Sequence, residues 1–196
     1  MRTTVAASIL LLGLSAPALA QSPVTATTDL NVRAGPGPHY PVVGVLGVGQ
    51  AADLNGCIEN SRWCSITTGS GDGWVYSDYL TADLGGDVVV LTERPADSGV
   101  AIVAPPEGEV MGGPVAGVLT GEVVETVIEP PPEVRDYVTV HEVEPVYLDG
   151  EIVVGAGLPE TVELREVPDY EYRYVYVNGQ PVLVDAASRR IVYIVR

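Results

Sequence analysis

Two hydrophobic patterns divide this chain. Residues 5–14 form one largely apolar run. From residue 24 onward the apolar positions come instead in short groups separated by glycine, proline and Asn/Asp clusters. Short apolar groups bounded by turn residues predict strands. The pattern places strands at residues 24–30 and 42–46, two more flanking Asn60-Ser61, and one through Trp74, Val75 and Tyr76. Turns are expected at residues 34–38 and 69–73, where Gly35, Pro36, Gly37 and Pro38, then Gly69, Ser70, Gly71, Asp72 and Gly73, cluster. About five closely spaced short strands suit a small barrel, because closure protects the edges a short sheet would leave open. Leu30, Val32, Val43 and Val75 are expected to alternate into its core.

Residues 83–132 lose this rhythm. Pro95, Pro105, Pro106, Pro114, Pro130, Pro131 and Pro132 are scattered among acids with few aromatics, the composition of a flexible linker. Inside it Gly113, Gly117 and Gly121 recur at every fourth position, a spacing that lets helices pack closely, although Pro114, Glu109 and Glu122 weigh against a helix.

Residues 133–196 carry an apparent duplication. Residues 146–154, with Asp149-Gly150 at their centre, align without gaps to residues 175–183, centred on Asn178-Gly179. Such pairs suit two-residue type I′ turns, whose central positions both need positive φ. An alternating strand precedes each predicted hairpin, at residues 138–143 and 162–167, and a last strand is expected at 191–195. Two three-strand units that cannot bury their faces alone should pack into one small β-domain. Tyr170, Tyr172, Tyr174 and Tyr176 would share one face of a regular strand, either as a core or as a stacking platform. The predicted fold class is therefore all-β: a signal at 1–20, a barrel at 22–82, a linker at 83–132 and a C-terminal β-domain at 133–196.

Charge and targeting narrow the function. Arg2, the apolar run and Ala18-Leu19-Ala20 before Gln21 have the zones of a cleaved secretory signal, and the run is too short to span a bilayer. No cysteine follows the cleavage point, which argues against a lipid anchor there. The expected product is periplasmic or secreted, with no transmembrane segment. Its formal charge of −16 becomes −17 once the signal, which holds Arg2 and no acid, is removed. An acidic chain is repelled by phosphates, which excludes nucleic acid as a partner and disfavours anionic lipid.

The run Leu30, Asn31, Val32, Arg33, Ala34, Gly35, Pro36 and Gly37, then Tyr40, Pro41, Val42, Val43, Gly44, Val45 and Leu46, resembles the bacterial SH3 (SH3b) domain. Gly73-Trp74-Val75 and Tyr79-Leu80 sit where that family has them. The resemblance implies an SH3-like barrel in an envelope protein, of a family often linked to peptidoglycan or its stem peptides. Candidate ligand-binding residues are Asn31, Arg33, Tyr40, Trp63, Trp74 and Tyr76. Arg33 could hold a carboxylate and the rings could cover peptide or sugar faces. The favoured alternative is that Trp74 is mostly core and Arg33 a satisfied turn residue. Residues 133–196, with Gly157-Leu158-Pro159-Glu160-Thr161-Val162 and Asn178-Gly179, are similar to a domain-of-unknown-function family found in envelope proteins.

Little catalytic chemistry is visible. Cys57 and Cys64 flank a predicted hairpin, where a disulfide is the natural outcome in an exported protein. A redox pair would more typically be spaced Cys-x-x-Cys, and a metal site would need more ligands. His39 and His141 lie in different segments, His39 among turns and His141 on a predicted strand face. Ser70 lacks the strand-turn-helix setting of a nucleophile elbow. Glu163, Glu166, Asp169 and Glu171 read as a solvated face, and Asp72 as a turn residue too poor in oxygen neighbours for calcium. No catalytic residue, cofactor or metal is expected. The sequence thus points to a non-enzymatic binding or scaffold protein with peptidoglycan or a periplasmic protein as partner. Its rivals are a structural or stress-related envelope protein and an accessory factor that places a hydrolase on the wall.

Overall fold

The computed structural model describes residues 22–106, 113–121, 123–124 and 128–196. The predicted signal lies outside the described residues. Among the described residues strands dominate, in two separate sheets, and the fold is all-β with one short α-helix.

The first sheet curls through eight strands in the order β3-β2-β6-β5-β4-β1-β7-β8. These are β1 (Ser22–Ala26), β2 (Leu30–Arg33), β3 (Val42–Leu46), β4 (Ala51–Cys57), β5 (Trp63–Thr68), β6 (Gly71–Tyr76), β7 (Leu80–Leu84) and β8 (Asp87–Val90). Val24, Leu30, Val32, Leu46, Ile66, Val75 and Leu80 fill its core. Val43, expected there, is 58% exposed. The β2–β3 register shifts between Val32, opposite Gly44, and Arg33, opposite Val42, which leaves Val43 as the extra residue of a bulge.

Part of the segment read as a linker belongs to this sheet. β8 pairs along β7, Leu91 is buried in the barrel core, and Cys57 exchanges backbone bonds with Ala101 and Val103. Gly56 makes this last contact possible, since a Cβ there would stand 2.6 Å from the Ala101 carbonyl oxygen. Further on, Val118 bridges Asp149 and Thr120 bridges Gly157. The described residues around Gly113, Gly117 and Gly121 form no helix.

The second sheet has the order β12-β11-β10-β9, formed by β9 (Arg165–Glu166), β10 (Arg173–Val177), β11 (Gln180–Asp185) and β12 (Arg190–Ile194). The β10–β11 hairpin turns at Asn178-Gly179, with φ of 49° and 81°. Both faces of this sheet are covered. Val175, Val177, Val182 and Val184 pack with Leu148, Ile152 and Leu158 on one side, while Tyr174, Tyr176 and Leu183 pack against α1 (Pro132–Val140) on the other. All four alternating tyrosines join this second cluster, Tyr170 and Tyr172 at its half-exposed margin. The tyrosine face is thus a core beneath a helix.

Two expected elements are replaced. The predicted strand at 138–143 begins inside α1, because Pro132 in the first turn starts a helix that buries Val134 and Val138, one turn apart, and leaves Val140 exposed. The hairpin expected at Asp149-Gly150 does not form. Glu151, Ile152 and Val153 are all buried, which a strand with alternating faces open to solvent cannot provide. The sequence repeat is therefore not repeated in structure: its second copy is a hairpin, and its first is an irregular segment between the two sheets.

Candidate functional site

The site is best built from β2, whose four residues are all buried. Leu30 and Val32 enter the barrel core, so Asn31 and Arg33 necessarily take the opposite face. That face meets the C-terminal module. Asn31 Nδ2 donates to Glu151 Oε1 at 2.5 Å. The Arg33 guanidinium donates to the carbonyls of Tyr40 (2.7 Å), Pro38 (3.3 Å) and Asn178 (3.3 Å), which ties the barrel's first turn to the tip of the β10–β11 hairpin. Asn178 continues the chain of contacts, its side chain receiving from Leu148 N–H (2.8 Å) and donating to Leu148 C=O (3.0 Å). The His39 ring stacks on Tyr147 with centroids 4.0 Å apart. Tyr79 packs against the barrel core, the C-terminal core and the tryptophan cluster together.

Electrostatics at this seam follow from burial. Desolvation lowers the pKa of Arg33, opposed by the nearby Glu151 and Tyr147. Desolvation pushes Glu151 up to about 7, against the downward pull of Arg33 and of its bonds from Asn31.

Beside the seam lies an open groove of about 370 Å³. Pro36, Pro38, Asn60, Ser61 and Arg62 line it together with the buried Trp63 and Tyr76. Asp149 of the C-terminal module and Val115 complete the lining. Trp63 meets Tyr76 edge to face, centroids 5.5 Å apart, within a cluster that also holds Ile58 and Trp74. Arg62 is ion-paired to Asp78, which raises its pKa further. Burial raises the Tyr76 phenol, with smaller contributions from Asp149 and Asp78.

The six sequence candidates therefore separate. Asn31 Nδ2 and Arg33 Nη1 donate within the chain, Tyr40 is half-buried with its carbonyl on Arg33, and Trp63, Trp74 and Tyr76 are buried in one cluster, of which Trp63 and Tyr76 back the groove. Sequence reasoning missed Tyr147, Asp149, Glu151 and Asn178, since nothing local marks a residue that acts across a long sequence separation. Cys57 and Cys64 pair across β4 and β5 as a disulfide. His141 lies at the end of α1, its ring stacked on Tyr137, rather than on a strand. Among the described residues, no group of three or more His, Cys, Asp or Glu could hold a metal.

Comparison with known proteins agrees with this layout. Residues 28–81 match the bacterial SH3 domain, and residues 137–196 match a domain of unknown function (DUF1236). Over 79 residues the chain is 34% identical to YrvJ of Bacillus subtilis (strain 168), a protein provisionally named as an N-acetylmuramoyl-L-alanine amidase. The match covers 40% of this chain and 15% of that protein. No solved structure matches significantly. The chain carries a bacterial SH3 domain followed by a DUF1236 domain.

Proposed function

We propose that this is an exported, non-catalytic protein of the cell envelope that binds peptidoglycan peptides in the groove between its two modules. The observation that carries the proposal is the groove itself, backed by the buried Trp63–Tyr76 pair and carrying the Asp149 carboxylate, with the Arg62 charge already met by Asp78. The prolines and Val115 that line it suit the methyl groups of a short peptide, and Asp149 suits a free ammonium group upon it. The SH3 match and the likeness to a protein named as a wall amidase support the same direction. Two cysteines spent on a disulfide, and histidines spent on stacking contacts, support a binding role over a catalytic one.

The test is sedimentation of the full chain with purified peptidoglycan. Binding should weaken about tenfold on Asp149→Ala, the loss expected for one charge-assisted contact, and disappear on Ser61→Trp, which fills the groove. Failure of the unaltered chain to sediment, or indifference to both substitutions, overturns the proposal. Turnover of wall fragments by the chain alone would refute the non-catalytic reading, and fractionation of cells tests export.

A further inference from the structure

Glu151 is a carboxyl group with almost no exposure, inserted from the C-terminal module against the barrel strand β2. Its Oε1 accepts from Asn31 Nδ2 at 2.5 Å and from the Asn31 backbone N–H at 3.4 Å. Its Oε2 has no partner, and neither has Asn31 Oδ1, although both atoms are buried. Two adjoining residues thus leave one acceptor each unmet, and an ionised carboxylate has no hydrogen to offer. A single proton supplies the missing donor. A carboxylic acid facing a primary amide can form a ring of two bonds, acid O–H to amide C=O and amide N–H to acid C=O.

The surrounding charges do not remove the need for it. Arg33, on the same face of β2, directs its Nη1 hydrogens to the Pro38, Tyr40 and Asn178 carbonyls, and its charge offsets only part of the burial that favours the protonated acid. Tyr79, from the turn before β7, feels the Glu151 charge as an unfavourable one, and Tyr147 lies on the Arg33 side. The remaining support is a backbone bond from Ile152.

We propose that the two modules dock through a neutral acid–amide pair, Glu151 carrying a proton on Oε2 and donating it to Asn31 Oδ1, so that docking takes up one proton. The direction of this uptake follows from the carboxyl's being raised from 4.5 to about 7 in the docked chain. The docked state holds the proton more tightly than the separated or unfolded state, so docking is strongest below 4.5 and weakens as pH rises to about 7. Between those limits the docking constant should fall about tenfold per pH unit, and above them it should level off.

The test follows the Glu151 carboxyl carbon by NMR in the full chain, its signal assigned by its loss in Glu151→Gln. The urea midpoint is measured in parallel from pH 4.5 to 8. A His39→Gln background, which removes the ring stacked on Tyr147 at the same seam, serves as the control. The expected results are an inflection near neutrality, a midpoint that falls with rising pH, and a Glu151→Gln chain that keeps the low-pH midpoint throughout, because glutamine can form the same ring. Glu151→Ala should lower the midpoint at every pH. An inflection at the ordinary carboxylate value, a midpoint flat across the window, or a glutamine variant as weak as the alanine one would overturn the proposal.

Discussion

Asn178 does three things at once, and two substitutions separate them. Its backbone turns the β10–β11 hairpin at φ 49°, its side chain makes both of the Leu148 bonds, and its carbonyl receives Arg33 from the barrel. Asn178→Gly keeps the turn and the carbonyl but removes the side chain. Leu148 is fully buried, so its N–H and C=O are left without these partners, at about 1–3 kcal/mol for each group. A total loss of about 3 kcal/mol is expected. Asn178→Ala adds the left-handed strain of a Cβ, about 1–2 kcal/mol, offset by about 0.5–1 kcal/mol because glycine loses more chain freedom on folding. Alanine should thus be worse than glycine by roughly 0.5–1 kcal/mol on those two principles. Urea unfolding of the full chain measures both, with near-UV circular dichroism reporting the C-terminal tyrosines. Both tryptophans lie in the barrel, so their fluorescence shows whether the damage crosses the seam. A glycine variant within about 0.5 kcal/mol of the parent, or one less stable than the alanine variant, would refute the reasoning.

Three more outcomes can be checked on the same material. Breaking the Cys57–Cys64 bond, by reductant or paired alanine substitution, should cost the barrel about 2.5 kcal/mol, since the cysteines lie only seven positions apart and the cross-link restrains little unfolded chain; an unmoved tryptophan midpoint would contradict it. Tyr174→Phe with Tyr176→Phe deletes the hydroxyl bonds to the His141 and Val138 carbonyls and should cost about 1 kcal/mol per bond, seen as faster amide exchange in α1 while the sheet stays protected. Gly73→Ala places a Cβ 2.3 Å from Val32 Cγ1 and 3.2 Å from the Arg33 carbonyl oxygen, so a loss of about 1–3 kcal/mol is expected in thermal melts.

What the sequence revealed divides by the range of the forces involved. β3 matches its predicted span, and the Asn178-Gly179 hairpin was legible because turn chemistry is local. The disulfide was legible for the same reason, since two cysteines on one short hairpin have few other partners. At residues 138–143 strand-like alternation competed with the start signal at Pro132, and the one-turn spacing of Val134 and Val138 against the tyrosine face decided for helix. At 146–154 the pattern matched a true hairpin elsewhere in the chain, yet burial from both modules overrode it. The groove was half legible. Trp63 and Tyr76 belong to the barrel motif, whereas Asp149 reaches them only through a fold-wide arrangement.

The attachment of residues 87–103 sets where this barrel can be cut. A fragment ending at residue 82, where the motif stops, would lose the strand that shields β7, the buried Leu91 and the two backbone bonds that fasten Val103 and Ala101 to Cys57. It would present a raw sheet margin to solvent and invite self-association. Grafting this SH3 module onto another protein therefore requires carrying the chain to at least residue 103, so its transplantable unit is longer than its recognisable signature.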